Sequence, residues 1–425
     1  MDKSNELPAK RSFQLFVLTA LFSVLVLFGL GNKVQADELE RPVTPNRTSA
    51  MAIDADSSQI IYQNDADKVK PVASLSKMMT VYLVEQQIDK QQLSWNDKIK
   101  VTPAEASVGT RVTSTRADLE AGHQYTVKDL VGASLVGSAN DAAMVLGNRV
   151  GGDNVKFADM MNNSAREMGI TDAKFNDACG LPNWENVKLQ NPNAPKYAVN
   201  QASTRSMAII AQKLLALDPK ILQMTSQPEY TIKDQTTGES KVLTNTNKLV
   251  SGGEEEYPGL KIDGLKTGTT ALYNGNLVAT TKKDGSRIIT VVMGSPQGQH
   301  FEDTVQLMSY VFNNFKTVKV DKNGFKNNVR SSNGVQEVLP VKLKNDVNLW
   351  IPKNNSEKQE STISIARERQ SQSGGVIAPI KAEQPVGTLQ FNDCDYLNKN
   401  SSTTVYAARS DRPAGFITQV RRATF

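Results

Sequence analysis

A serine and a lysine three residues apart, Ser74 and Lys77, can form a nucleophile with its own base. On a helix such residues share a face, which puts the amine one turn above the hydroxyl. A serine hydroxyl is a weak nucleophile at neutral pH and needs an adjacent base. A lysine amine serves only if desolvation or a neighbouring cation lowers its pKa. Lys266, in Lys266-Thr267-Gly268, can be that cation. Between these two motifs stands Ser138-Ala139-Asn140. Its hydroxyl can shuttle a proton between Lys77 and a leaving amine, and its amide can hold a peptide bond through donor and acceptors. Lys266 and Thr267 can take a substrate carboxylate, and Gly268 lets a substrate backbone approach closely. The set describes acyl transfer by a serine enzyme that works without histidine.

The motifs differ in specificity. Ser-x-x-Lys and Lys-Thr-Gly each occur once in the chain, whereas Ser-x-Asn also occurs at Ser94-Trp95-Asn96 and Ser331-Ser332-Asn333. Taken alone, Ser74 and Lys77 read as a helix N-cap and a solvated lysine. The order of the three motifs and the Ala-Asn-Asp-Ala-Ala setting of the middle one favour chemistry. Only His123, in a loop and expected at the surface, and His300 are present, which argues against a Ser-His-Asp triad or a histidine-rich zinc site. The chemistry calls for no metal and no cofactor. Cys179 and Cys394 make no disulfide framework and read as two unpaired thiols.

The elements that must position these groups follow from the patterning. Residues 49–62 read as a β-hairpin with a polar turn at 54–58, and the apolar run after Pro71 reads as a buried helix beginning near Ser74. Further helices are expected at 127–135, 141–149, 155–168, 204–217 and 302–315, with adjacent strands at 276–281 and 287–293. Beyond Val318 short alternating segments separated by Asn-, Ser-, Gly- and Pro-rich turns predict a small all-β domain over 318–409. That domain has no catalytic constellation and reads as a spacer or interaction module.

The whole chain sets the context. Its 425 residues allow two domains, and 39% apolar with 22% charged residues is an ordinary globular composition. A net charge of +5 is too small to argue for nucleic acid, and no nucleic-acid-binding motif stands out. Lys10 and Arg11, the apolar run from Phe13 to Leu30 and Val34-Gln35-Ala36 form an export signal over 1–36, cleaved or retained as an anchor. Either way the bulk of the chain is expected outside the cytoplasmic membrane. A tail over 410–425, with Phe416, Ile417 and Val420 beside Arg421 and Arg422, can lie on a membrane surface or fray as a polar end.

The motifs and their flanks resemble the serine-type D-alanyl-D-alanine carboxypeptidases, the low-molecular-mass class C penicillin-binding proteins. The resemblance runs through the segment Pro71-Val72-Ala73-Ser74-Leu75-Ser76-Lys77, through Gly137-Ser138-Ala139-Asn140-Asp141, and through Asn245-Thr246-Asn247 with Asp263-Gly264-Leu265-Lys266-Thr267-Gly268. It continues into Ile377-Ala378-Pro379 and Val386-Gly387-Thr388-Leu389 of the C-terminal β domain. It implies an α+β catalytic domain over 37–317 with the penicillin-binding, β-lactamase-like fold: an antiparallel sheet flanked by helices, plus a helical subdomain. By the same resemblance Ser74 attacks the terminal D-Ala-D-Ala bond of a peptidoglycan stem pentapeptide, and β-lactams acylate the same serine. Backbone N–H groups of Ser74 and Thr269 then form the oxyanion hole. Two departures stand out: Ala271-Leu272-Tyr273 replaces the usual Ala-Gly-aromatic step, and His300 stands where relatives often carry a carboxylate-binding arginine. The alternatives are a β-lactamase or D,D-transpeptidase of the same fold, or a catalytically silent wall-binding module. The Glu-x-x-Leu-Asn setting of a class A β-lactamase is not found.

Overall fold

The computed structural model describes residues 48–425 except 111–113, 187, 271–272, 356–359, 398–402 and 419–425. The expected export signal and the last part of the tail therefore lie outside the described residues, as does Ala271-Leu272. Among the described residues no helix is long and apolar enough to cross a membrane.

The centre of the molecule is a six-stranded antiparallel sheet. Its order is Asp395–Tyr396, Gln59–Asn64, Ser49–Asp54, Ser286–Ser295, Tyr273–Lys283 and Ile262–Thr270. Strand Ser49–Asp54 is buried on both faces, and its alternation sorts the core. Met51 and Ile53 join Val278, Ile289, Val291 and Met293 against helices Lys77–Asp89 and Thr204–Leu217. Ala50 and Ala52 join Leu277, Ala279, Ile288 and Val292 against helix Gln299–Asn314, through Phe301, Val305, Leu307 and Met308. A sheet covered on both faces needs apolar residues at odd and even positions alike, and these strands supply them.

Helices Val127–Leu135, Asn140–Gly151 and Asn154–Glu167 make a helical subdomain beside Lys77–Asp89. Their ends obey local chemistry. Thr126 accepts from the Asp129 N–H, Asp153 from that of Lys156, and Ser203 caps Thr204–Leu217 through the Ser206 N–H. The helix expected at 302–315 begins three residues earlier, at Gln299, directly after Gly298 with φ +89°. Phe315 has left it to start strand Phe315–Val320, because pairing with Val347–Pro352 outcompetes another helical turn.

The C-terminal region forms a five-stranded antiparallel sheet and a two-stranded one around Leu339, Val341, Leu349, Val386, Leu389 and Val405. It is also wired into the catalytic sheet. Asp395–Tyr396 pairs with Gln59–Asn64, extending that sheet at the edge remote from Lys266. Gln59 Nε2 donates to the Trp350 carbonyl at 2.7 Å, the Trp350 N–H returns to Gln59 Oε1 at 2.9 Å, and the indole N–H reaches Asp54 Oδ2 at 2.8 Å. At the other end, Phe416 and Ile417 are exposed on a short helical turn.

Candidate active site

Ser74 lies in a 3-10 turn, Ala73–Ser76, that runs directly into helix Lys77–Asp89. The turn is held from several sides. Ser76 Oγ donates to the Ala73 carbonyl at 2.7 Å, and Ala73 itself has φ +48°, a left-handed conformation that costs an alanine energy and persists only where surrounding contacts enforce it. Asn276, on the adjacent strand, donates to the Pro71 carbonyl at 3.1 Å. Gly268 faces the turn so closely that a Cβ there would sit 2.7 Å from the Val72 carbonyl oxygen and 3.1 Å from the Leu75 nitrogen. The close approach this glycine permits is thus between the edge strand and the nucleophile turn, where the sequence pointed to a substrate backbone.

Lys77 is fully buried, and its Nζ is surrounded by oxygens: Ser74 Oγ at 2.7 Å, Asn140 Oδ1 at 2.7 Å and the Cys179 carbonyl at 2.8 Å. As an ammonium it donates to all three. As a neutral amine it has two N–H donors and one lone pair. A carbonyl and an amide oxygen accept but cannot donate, so they take the two N–H groups and leave the lone pair facing the Ser74 hydroxyl proton. Burial lowers the amine from the ordinary lysine range to about 8, close enough to neutrality for a general base. Burial, one of the two routes the sequence left open beside Lys266, is thus the main cause of the shift. The carboxylates of Asp177 and Asp141 act the other way and favour the charged form.

The Ser-Ala-Asn motif sits at the mouth of helix Asn140–Gly151. Ser138 is buried with φ +57°, its carbonyl accepts from Thr115 Oγ1 at 2.8 Å, and the Asn140 N–H donates to the Thr115 carbonyl at 3.0 Å. The Ser138 hydroxyl is not among the three groups that hold Nζ. Asn140 is, and the contact uses its Oδ1, leaving the Nδ2 donors for a ligand. Asp141 accepts the N–H groups of Ala117 and Leu119 at 2.9 and 3.1 Å, tying the neighbouring segment to the helix start.

Lys266, Thr267, Gly268 and Thr269 lie on the edge strand Ile262–Thr270, with Lys266 paired opposite Val278 and Gly268 opposite Asn276. Lys266 is as buried as Lys77, yet its Nζ has no hydrogen-bond partner. Burial, reinforced by the charge of Lys77, pushes its pKa well below the ordinary lysine range. Thr267 Oγ1 is 2.6 Å from Thr246 Oγ1, and Thr269 is exposed.

His300 does not offer a charge. It is buried on helix Gln299–Asn314, and burial brings its pKa down to about 4, so the ring is neutral. It packs under Gly275, where a Cβ would lie 2.1 Å from Nδ1, and both ring nitrogens lack a partner. His123 is only partly exposed and bonds Asp234 at 2.5 Å, joining its loop to the strand pair Glu229–Lys233 and Ser240–Thr244. Both cysteines are free.

Sequence reasoning passed over the loop that completes the Lys77 environment. Asp177 Oδ1 accepts the N–H groups of Cys179 and Gly180 at 2.8 and 2.6 Å, and Asn200 Nδ2 bridges the Asp177 carbonyl and Ser76 Oγ, both at 2.9 Å. An aspartate followed three residues later by glycine is a turn signature. Nothing in the residue types says that a backbone carbonyl from this turn reaches the lysine.

A buried lysine bonded to a half-buried serine, an adjoining hydroxyl–amide motif and an edge strand bearing a second buried lysine define a serine acyl-transfer enzyme of the penicillin-binding type. The chain belongs to the D-alanyl-D-alanine carboxypeptidase family, which it matches over residues 36–297; residues 312–410 match the C-terminal domain of penicillin-binding protein 5. It is similar to the D-alanyl-D-alanine carboxypeptidase DacF of Bacillus subtilis, with 27% identity over 383 residues covering 88% of each chain. In structure it resembles PBP3, a peptidoglycan synthesis regulatory factor of Streptococcus pneumoniae, with a TM-score of 0.70 and 28% identity over 86% of this chain and 98% of that one. It also resembles the cefotaxime-bound penicillin-binding protein D2 of Listeria monocytogenes, with a TM-score of 0.51 and 30% identity over 62% of this chain and 96% of that one. The expected fold, with a penicillin-binding catalytic region and an all-β region after it, is the one observed.

Proposed function

We propose that the protein removes the terminal D-alanine from peptidoglycan stem pentapeptides through an acyl-enzyme on Ser74, at the outer face of the cytoplasmic membrane. One observation carries this reading: Lys77 Nζ sits 2.7 Å from Ser74 Oγ while its other two neighbours can only accept. Neutral Lys77 takes the Ser74 proton as Oγ bonds to the carbonyl carbon of the scissile amide. The negative charge gathers on the carbonyl oxygen, facing the backbone N–H groups of Ser74 and Thr269. The C–N bond then breaks, and the leaving D-alanine nitrogen receives a proton relayed from Lys77 by the Ser138 hydroxyl. Water attacks the ester carbon as its proton passes to Lys77, the C–Oγ bond breaks to release the carboxylate product, and Lys77 returns the proton to Oγ, regenerating Ser74 and the neutral amine. Asn140 Nδ2 holds the substrate peptide bond, and Lys266 with Thr267 and Thr269 binds the terminal carboxylate. β-Lactams enter by the same acylation step. An export signal over 1–36 and the apolar Phe416 and Ile417, exposed at 81% and 84%, support placement at a membrane surface.

The test uses the purified protein, a pentapeptide ending in D-Ala-D-Ala, and Ser74→Ala. D-Alanine release and covalent labelling by fluorescent penicillin are expected from the parent, and neither from the variant. Labelling that persists in Ser74→Ala overturns the reading, and rapid penicillin turnover by the parent redirects it to a β-lactamase.

A further inference from the structure

We infer that Asp177 is the positioning residue of the base: its carboxylate fixes the turn that aims the Cys179 carbonyl at Lys77, and supplies the countercharge that sets when Lys77 gives up its proton. The inference rests on the reading of Lys77 as the base for Ser74.

The geometry is closed on every side. One carboxylate oxygen of Asp177 holds the Cys179 and Gly180 N–H groups at 2.8 and 2.6 Å, which turns the Cys179 carbonyl outward to Lys77 Nζ at 2.8 Å. Gly180 closes the turn with φ +89°, and a Cβ there would lie 2.0 Å from the Ala73 carbonyl oxygen, so the turn lies flat against the nucleophile segment. Asn200 clasps the Asp177 carbonyl and Ser76 Oγ together, and Thr80 Oγ1 donates to the Ala178 carbonyl at 2.6 Å. The loop and the helix bearing Lys77 are thus one unit.

The charge of Asp177 acts on Lys77 in particular. Four other ionisable groups surround this pair. Asp141, from helix Asn140–Gly151, spends its carboxylate on the N–H groups of Ala117, Leu119 and Ala142, with Arg116 4.0 Å away. The Cys179 thiol is buried and held well above its usual range, so it stays neutral. Lys266, from the edge strand, is driven towards its neutral form by burial and by the Lys77 charge, and Glu185, from the same loop as Asp177, is itself pushed up by burial. Asp177 is fully buried and its second oxygen, Oδ2, has no hydrogen-bond partner; burial pushes its pKa up, against which the Gly180 and Cys179 N–H groups and the charge of Lys77 favour the carboxylate. That leaves Lys77 as the cation its charge can stabilise.

The experiment follows the acylation rate at saturating β-lactam against pH for the parent, Asp177→Asn, Asp177→Ser and Asn200→Ala. Asparagine and serine keep an acceptor for the two N–H groups but remove the charge. Each is expected to move the acid limb down by roughly 0.5–1 pH unit while holding the plateau within about threefold. Asn200→Ala loosens the clasp and keeps the charge, so the plateau is expected to fall about 10-fold with the limb unmoved. An unmoved limb in whichever charge-removing variant folds, or an unchanged plateau in Asn200→Ala, overturns the inference. Ser74→Ala in the same assay separates the two levels: labelling there refutes the acyl-enzyme itself, whereas an unmoved limb with Ser74 labelling intact refutes only the role of Asp177.

Discussion

Two lysines face each other across this site, both fully buried, and their surroundings could hardly differ more. Lys77 has an oxygen for each of its three N–H directions, whereas Lys266 has none. A buried donor without a partner costs free energy, so it marks a group whose partner arrives from outside. The difference separates the site into a finished half and a socket. The nucleophile, its base and the turns that aim them are assembled before substrate binds. On the proposed reading the carboxylate end is completed by the substrate, and neutral His300 contributes no charge there.

The largest effects should split the two lysines kinetically. Lys77→Met is expected to lower the acylation rate at saturation by about 1,000-fold or more with substrate binding little changed, because a base is lost and no carboxylate contact is. Lys266→Met should do the reverse, raising KM about 100-fold with a smaller loss in kcat. It should also stabilise the protein at pH 7 by about 1–3 kcal/mol in denaturant titrations, because an unpaired buried amine is replaced by an apolar chain of similar size. The sign of the linkage agrees. The folded pKa of Lys266 lies below the unfolded one, so at neutral pH the unfolded chain binds the extra proton and folding is disfavoured until pH rises towards the ordinary lysine range. Equal kinetic behaviour of the two variants would erase the distinction between base and socket.

A smaller effect sharpens the same contrast. An amine that burial keeps neutral is drawn back to its ammonium form when a carboxylate arrives beside it. Binding of a carboxylate-ended peptide to Ser74→Ala is therefore expected to take up a fraction of a proton at pH 7.5, up to about one. Calorimetry in buffers of different ionisation enthalpy reads this directly. The uptake should vanish in the double variant Ser74→Ala, Lys266→Met. No uptake in the single variant would mean that Lys266 is charged before substrate binds.

What the residues alone disclosed follows the same division. The Ser-x-x-Lys spacing placed Lys77 over Ser74, because a helical turn is a local property, and the helices at 127–135 and 204–217 were legible in the patterning, with their caps at Thr126 and Ser203 shown by the structure. The Cys179 carbonyl was not legible, since every residue has a carbonyl and only the fold says which one reaches the lysine. His300 was readable as a departure but not as a buried neutral ring, because burial depends on Gly275 and Phe301 packing against it. The C-terminal region showed its strands, yet nothing in Asp395-Tyr396 announced that they would extend the catalytic sheet. Such pairing is decided by the partner strand, here Gln59–Asn64, more than 330 residues earlier. Trp350, one of three tryptophans, is the visible trace of that union, bonded through its ring and backbone to Asp54 and Gln59.

The central claim is that Lys77, neutral and aimed by acceptors, is the base for Ser74. The first-order rate of Ser74 acylation at saturating penicillin, measured from pH 6 to 9.5, tests it most directly. The account predicts a tenfold rise per pH unit at low pH, bending to a plateau near pH 8, where buried Lys77 loses its proton. A rate that is flat across this range, or one that falls as pH rises through 8, would contradict it.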